Sequence, residues 1–309
     1  MVDVSIKVCF IGLGSIGRRH LKNLFAVARA RGLSLRVDAL RHARAELPED
    51  VAPLIDRQFC DIAELGTYDW AFVCNPSQNH FDTLMRMRNR ASFFFVEKPV
   101  FVSPLSSADL ECFGDAARYY VACPLRHKVT YRKMREFVRS HKVIGARAIC
   151  SSYLPDWRPG VDYRALYSAQ RESGGVKLDL IHEFDYLIDL FGFPSSSSLT
   201  EAKVSSLEIA SNDVVSFVGV YPDKLVELHL DYFGKTSRRK IELWTPEEAV
   251  EFDFLQDSEE RNAAYVREME CFVDMALGKV ANINDLHHAN KILDFLMNRS
   301  GGGYENAER

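Results

Sequence analysis

Phe93-Phe94-Phe95-Val96-Glu97-Lys98-Pro99-Val100 is an apolar run that stops abruptly at a Glu-Lys-Pro tripeptide. Four apolar residues in a row predict a strand buried on both faces, as in a parallel sheet. Proline cannot continue a central ladder, so the strand ends by Lys98. In an open α/β sheet, ligands sit beyond the carboxyl ends of the strands. Lys98 is therefore expected in a ligand crevice, where an ammonium can hold and polarise a substrate oxygen. For Lys-Pro alone the alternative is a lysine in solvent. The rest of the chain decides for the crevice.

Upstream, the apolar run Ile6–Ile11 leads into Gly12-Leu13-Gly14-Ser15-Ile16-Gly17, and Arg18-Arg19-His20 then opens a helical pattern. Strand, glycine turn and helix in that order make a phosphate cradle. Gly12 allows the tight turn, Gly14 lets the backbone approach a pyrophosphate, and Gly17 permits close helix–strand packing. Gly12, Gly14, Ser15, Ile16 and Gly17 are therefore candidate cofactor contacts. A second strand is expected over Leu35–Leu40, with Arg41, His42 and Arg44 beyond its end. An acidic residue at that point binds the ribose 2′-hydroxyl of NAD, whereas a basic one accommodates the 2′-phosphate of NADP. Asp38 is the only carboxylate nearby, and the strand continues past it. Arg41 and His42 thus favour NADP, with NAD left open and solvent-facing basic residues as the alternative. Further strands are expected at 68–74, ending at Asn75-Pro76, at 93–98 and at 120–123, with helices over 79–90 and 106–119. The alternation predicts an α/β doubly wound parallel sheet, the Rossmann arrangement, over residues 1–123.

After residue 123 the pattern changes. Leu125-Arg126-His127 precedes a basic amphipathic helix over Val129–Ser140, and 147–153 reads as a strand. Residues 153–167 then lack periodicity and carry Tyr153, Trp157, Arg158, Tyr163 and Arg164. Loops of about 15 residues inside a compact domain are usually functional or disordered, and the aromatic content argues against disorder. Ser173-Gly174-Gly175 opens a mostly apolar helix expected over 176–191 and closed by Gly192-Phe193-Pro194. Asp179, His182, Tyr186 and Asp189 recur every three or four residues and so share one face. A histidine between acids on an apolar helix is a candidate acid–base group, a packed core histidine being the alternative. Runs at 202–209, 214–220, 225–232 and 240–245, separated by turns that include Gly234-Lys235, predict a mostly antiparallel sheet. The serine run 195–198 is expected as a loop. Helices over 259–277 and 284–298 close the chain, and 300–309 reads as a frayed tail. The second domain is thus expected to be α+β over 124–309, with a large open sheet.

The 309 residues, 47% hydrophobic and 27% charged, suit a globular chain of two domains. A net charge of −4 leaves no nucleic-acid footprint. No apolar run approaches the roughly 18 residues that span a bilayer. Seven scattered cysteines without a Cys-x-x-Cys pair predict reduced thiols, with neither metal ligands nor disulfides. Met1-Val2-Asp3-Val4 lacks the basic opening of a signal peptide, so a cytoplasmic protein without membrane or nucleic-acid partners is expected.

With Gly12, Gly14 and Gly17, then Glu97-Lys98-Pro99, then Gly174-Gly175 ahead of Asp179, His182 and Asp185, the chain resembles the Gfo/Idh/MocA oxidoreductases over nearly its whole length. The resemblance implies a nicotinamide-dependent dehydrogenase acting on a sugar, cyclitol or nucleotide sugar. It implies that Lys98 and His182 surround the reacting carbon with Asp179 assisting, and that Asn75, Pro76, His80, Glu97 and Lys98 face the nicotinamide side of the cofactor. It also implies a homodimer or homotetramer formed through the open face of the second sheet. Two departures are plain: Ser173-Gly174-Gly175 replaces the usual three glycines, and Asp179 and His182 are three apart where four is common. Residues 153–167 with 178–183 are similar to a branch associated with bacterial surface-sugar biosynthesis. Arginine forks suit carboxylates and phosphates, and aromatic faces suit a sugar ring. Arg126, Tyr153, Trp157, Arg158, Tyr163, Arg164 and His182 are accordingly candidate contacts to an anionic sugar, a nucleotide sugar or a sugar acid. Pairing of the arginines with Asp156 and Asp162 is the alternative. The expected reaction is hydride transfer to or from a carbinol or carbonyl carbon. A cofactor-bound regulator and a reductase of a non-sugar substrate are the rival readings.

Overall fold

Short apolar runs in the first part of the chain pair side by side in parallel. In chain order they are β1 (Ile6–Ile11), α1 (Ser15–Ala30), β2 (Leu35–Leu40), β3 (Arg57–Phe59), β4 (Tyr68–Val73), α2 (His80–Met87), β5 (Ala91–Val96), α3 (Ser107–Glu111) and β6 (Tyr119–Val121). The structure, a computed structural model, describes residues 5–43, 46–171, 174–257, 259–260 and 262–298. Arg44, Ser173 and the tail 300–309 lie outside the described residues. The strand order is β3-β2-β1-β4-β5-β6, so the order reverses between β1 and β4 and opens a crevice at their carboxyl ends. The expected doubly wound sheet is present. β3 was not foreseen because only three residues of it pair. The helix expected over 106–119 is cut to α3: Gly114 turns left-handed at φ 70°, and Asp115 then caps a fresh 3-10 turn through the Ala117 N–H.

A second unit comprises Lys128–Glu259 and the chain from Ile292. It contains α4 (Val129–Ser140), β7 (Gly145–Tyr153), α5 (Val176–Asp179), α6 (Ile181–Phe191), β8 (Ser196–Ala202), β9 (Val214–Val220), β10 (Leu225–Asp231), β11 (Phe233–Trp244) and β12 (Ala249–Asp253). Its sheet runs β12-β11-β7-β10-β9-β8 and is antiparallel except for the β7–β10 pair. Three expectations change here. The serine run is not a loop: Ser196, Ser197 and Ser198 open edge strand β8, paired with β9. Residues 203–209 are the loop instead, because buried Asp213 accepts the N–H groups of Val204 and Ser205 and the hydroxyl of Ser205. Gly234-Lys235 is not a turn but lies inside β11, where the register with β7 shifts between Phe233 and Arg238. A side chain at Gly234 would strike Ser151 Oγ.

Two helices close the chain, α7 (Ala263–Ala276) and α8 (Leu286–Asn298). The expected single boundary after Cys123 needs correction, since the first unit takes the chain to His127 and also Glu260–Lys291. The reason is the core. Phe10, Phe72, Phe95 and Tyr120 are register partners on β1, β4, β5 and β6, stacked at centroid spacings of 4.4, 5.3 and 5.5 Å. Phe272 of α7 meets Phe72, Phe95 and Tyr120 edge-on at 5.1, 5.5 and 6.2 Å. Asn23 and Asn262 exchange side-chain amide bonds, and Arg31 forks onto Asp274, fixing α7 against α1. Without α7 this aromatic face has no cover. Phe272→Ala is expected to lower the unfolding free energy by about 3–5 kcal/mol, the usual cost of emptying a buried aromatic site. Urea denaturation measures it, and a loss under about 1 kcal/mol would show that Phe272 does not organise this core.

Candidate functional site

The glycine loop lies at the crevice. Gly12 has φ 94°, and a Cβ there would sit 2.8 Å from the Asn75 nitrogen and the Cys74 carbonyl oxygen. A Cβ on Gly17 would come within 2.3 Å of the Gly12 carbonyl oxygen. Gly14, the N-cap of α1, has an ordinary φ of −67° and open space where a side chain would stand. That space, at a helix N-terminus with no acid in its first turn, suits a pyrophosphate. Asn75 adds a buried acceptor: its amide nitrogen donates to Thr83 Oγ1 at 2.8 Å, while its Oδ1 has no hydrogen-bond partner. Pro76 beside it is exposed. Both features fit a dinucleotide. At the end of β2, Asp38 is buried and spent, forked by Arg57 at 3.0 and 2.7 Å and bonded by the Tyr68 hydroxyl at 2.9 Å. Beyond the strand, Arg41 donates to Gln58 Oε1 at 2.7 Å, and His42 is exposed.

Lys98 follows β5 and is half-buried, with a cis bond to Pro99. Glu97, just before it, is buried. Its Oε1 lies 2.5 Å from His20 Nε2, and its Oε2 accepts the Lys98 N–H at 3.1 Å. Burial pushes the Glu97 carboxyl up, but the hydrogen bond and charge of His20, and then the Lys98 charge, outweigh it and hold the carboxyl below its ordinary value. Glu97, expected to touch cofactor, meets His20 with one oxygen and the Lys98 N–H with the other. His80, also expected to face the cofactor, has backbone carbonyl oxygens at both ring nitrogens. It is fully buried, with Nε2 at 2.9 Å from the Asn75 carbonyl oxygen and Nδ1 at 3.0 Å from that of Val100. Burial lowers its pKa more than the two carbonyl oxygens raise it, and the ring lies between the loops that carry Asn75 and Val100. His20 was missed at sequence level, although its place three residues after Gly17 was the available signal.

In the second unit the helix expected over 176–191 breaks at Leu180, which has φ −99° and ψ 25°. Asp179 ends α5 and His182 begins α6, so the two do not share one continuous helical face. The break lets neighbouring acids serve different partners. Asp179 accepts the Tyr232 hydroxyl, and Glu183 is forked by Arg239 at 2.8 and 2.6 Å. Burial and then the charge of Asp179 raise the phenols of Tyr232 and Tyr167, keeping both protonated as donors to that carboxylate. Asp189 accepts the Tyr131 hydroxyl. His182 is half-buried between these paired acids. The glycines ahead of it have a packing role: a Cβ on Gly174 would sit 2.2 Å from the Tyr167 carbonyl oxygen, and Gly175 takes φ 96°. The aromatic loop is thereby seated on the start of α5.

Of the loop residues, Trp157 stands edge-on to Tyr232 at 5.3 Å and donates from its indole to Ser152 Oγ at 3.0 Å. The Tyr163 hydroxyl accepts the Glu208 N–H at 3.2 Å. Arg164 is already matched by Asp162 at 2.9 Å and Glu208 at 2.8 Å, which replaces its expected role as an anion receptor. Arg126 is likewise committed: buried in the first unit, it donates to the Ile283 carbonyl oxygen at 3.2 Å and lies 3.3 Å from His288 Nε2. Arg158 remains exposed near Tyr167. Sequence reading missed Lys235, whose ammonium stands 3.1 Å above the ring of Tyr153. These two border a cavity of about 410 Å³ with Ser205, Ser206, Leu207 and Phe233. Among the described residues, no ion pair involves Arg158 or Lys235.

One group among the described residues could hold a metal ion: Cys123, His127 and Glu268 place ligand atoms within 4.8 Å of one another. Tyr120 knits it, its hydroxyl 2.8 Å from His127 Nε2 and 3.4 Å from Cys123 Sγ. Local cysteine spacing could not reveal this group, because Glu268 comes from α7. The glycine loop yields a sharper test. Gly14→Ala is expected to fold and melt like wild type but to bind dinucleotide at least about tenfold more weakly, a loss of about 1.4 kcal/mol. Gly17→Ala should lose stability instead. Calorimetric titration beside thermal melting distinguishes them, and wild-type affinity in Gly14→Ala would make the loop a turn without a ligand.

Residues 6–118 match the model of an oxidoreductase family with an NAD-binding Rossmann fold, Gfo/Idh/MocA. No curated protein matches the chain. Solved structures of similar fold include myo-inositol 2-dehydrogenase from Lactobacillus plantarum, at 16% identity and a TM-score of 0.77 over 96% of each chain. Scyllo-inositol dehydrogenase from Lactobacillus casei, solved with NAD(H) and scyllo-inositol, shares 15% identity and a TM-score of 0.76 over 94% of this chain and 95% of that one. GenD2 from gentamicin A biosynthesis, solved with NAD, shares 16% identity and a TM-score of 0.77 over 96% of this chain and 93% of that one. At these identities the likeness is one of fold. The family match covers the stretch that holds the glycine loop and the strand ending at Lys98.

Proposed function

We propose that this chain is a nicotinamide-dependent dehydrogenase or reductase of a sugar-like, anionic substrate, a nucleotide sugar or a sugar acid. The observation that carries the reading is the crevice: an open glycine cradle at Gly14 beside a lysine fixed at the end of β5. A nicotinamide cofactor bound there would supply or accept the hydride. Lys98 holds and polarises the substrate oxygen, and His182 takes or gives its proton. Asp179, bonded to Tyr232, orients the start of α6 and is not itself a proton carrier. NADP is proposed over NAD, because Asp38 is consumed by Arg57 and Tyr68 while Arg41 stands beyond the strand end.

Lys98→Ala and His182→Ala are each expected to lower turnover by about 100-fold or more, the usual size of an acid–base contribution, with cofactor affinity nearly unchanged. A screen of nucleotide sugars and sugar acids for cofactor-linked absorbance change supplies the substrate. Titrations with NADPH and NADH should show tighter NADPH binding, and Arg41→Ala should narrow the gap. Near wild-type turnover in either variant removes that residue from the chemistry, and tighter NADH binding refutes the cofactor preference.

The anionic character of the substrate rests on Arg158 and Lys235, cations without an ion pair beside aromatic rings. Replacing either, as Arg158→Ala or Lys235→Met, is expected to raise KM by about tenfold, at roughly 1.5–3 kcal/mol per charged hydrogen bond. Arg164→Ala should leave KM alone, since its fork is filled by acids. Affinity should also fall with salt, because exposed charge contacts are screened. A neutral sugar or cyclitol as best substrate, with KM indifferent to both cations, would overturn this assignment.

A further inference from the structure

A cavity of about 420 Å³ runs along the outer side of α1 in the first unit, and no step proposed above uses its cations. Ser15, Arg18, Arg19 and Lys22 line it from the helix. Asp50, on the connection from β2 to β3, and Glu260, ahead of α7, complete the lining together with Asn23 and Asn262. The charges do not cancel. Asp50 is bonded by the Lys22 ammonium, and Arg18 comes last among the groups that act on that carboxylate. Glu260 is exposed. Arg19 lies over the ring of Tyr265 at 4.7 Å, a contact that engages the face of the guanidinium and not the N–H donors at its edge. Among the described residues, no ion pair involves Arg18 or Arg19. Both are half-buried near the positive end of a helix whose first turn carries no acid, so the local potential favours an anion.

We propose that this cavity is a binding site for a phosphate group, with Arg18 and Arg19 as its receptors. With Lys22 and Asp50 matched to each other, two guanidinium groups stand against one exposed carboxylate. A guanidinium fork matches phosphate oxygens with paired hydrogen bonds, and a phosphate of charge about −2 answers two such forks. A single carboxylate answers only one. The volume falls within the range of small-molecule sites, roughly 300–1,000 Å³, so there is room for more than the phosphate itself. Two sources share this chemistry. One is the 2′-phosphate of NADP, because Ser15 belongs both to the cavity and to the glycine loop. The other is a separate phosphorylated small molecule, whose binding would bear on the dinucleotide cradle through α1.

Inorganic pyrophosphate is the probe. It is titrated calorimetrically into protein saturated with NADH and into protein saturated with NADPH, at one ionic strength because exposed charge contacts are screened. The dinucleotide fills the glycine cradle in both, so the titration reads the cavity. Saturable binding to the NADH-loaded protein is expected, weakened at least about tenfold by Arg18→Gln and by Arg19→Gln, the size of one charged hydrogen bond. Arg29→Gln, at the far end of the same helix, should leave it unchanged. Binding with both dinucleotides assigns the site to a separate phosphorylated compound. Binding with NADH alone assigns it to the 2′-phosphate of NADP. No saturable binding to the NADH-loaded protein, binding that Arg18→Gln and Arg19→Gln leave intact, or an equal loss in Arg29→Gln overturns the proposal. Should neither dinucleotide bind, the crevice reading fails, and the same titration of the unliganded protein and its three variants still decides the cavity.

Discussion

A row of stacked rings running across four parallel strands sets everything else in the first unit. Phe10, Phe72, Phe95 and Tyr120 face one another in register, and Phe272 closes the row edge-on. A slip of one residue in any of these strands would turn its ring to the opposite face. The register therefore levels the strand ends, so that Gly12, Cys74 and Glu97 leave the sheet side by side. Backbone bonds from Cys74 N to the Ile11 carbonyl oxygen and from Glu97 N to that of Val73 continue the ladder into the loops. The crevice is a consequence of how aromatic rings stack, not of the loops themselves.

Polar groups are arranged on top of this packing by a single rule: a buried carboxyl group is met by donors. Glu97 has His20, Glu183 has Arg239, Asp179 has Tyr232 and Asp213 has the 203–205 backbone and Ser205. Each pairing also fixes a piece of chain: the lysine segment, the start of α6, the end of α5 and the loop after β8. At the surface of the second unit the same rule works in reverse. Arg164 is matched by Asp162 and Glu208, while Lys235 stands over the ring of Tyr153 and Arg158 lies near Tyr167, neither in an ion pair among the described residues.

Much of this could be read from local sequence. The glycine spacing from Gly12 to Gly17, the Glu97-Lys98-Pro99 stop and the apolar runs of the sheet all depend on neighbours a few residues away. Where reading failed, a distant partner overruled local pattern. The run 195–198 looks like loop material by composition, yet pairing with β9 makes strand of Ser196, Ser197 and Ser198. The period of Asp179, His182 and Asp189 suggests one helical face, yet Tyr232 and Arg239 pull adjacent turns apart at Leu180. Arg164 and Arg126 have the chemistry of anion receptors, and only the fold shows that both are already occupied.

By itself, then, the sequence determined the class of the first unit, the place of its phosphate cradle and the position of Lys98 at a strand end. Those features follow from backbone rules that act over a single turn or strand. Tertiary structure alone decided that α7 completes the first core, that His20 reaches Glu97 across 77 residues, and that Glu183 finds Arg239 across 56. Such contacts depend on which buried groups arrive together when the core closes. Spacing along the chain carries no record of that, because a buried charge selects its partner by proximity in space.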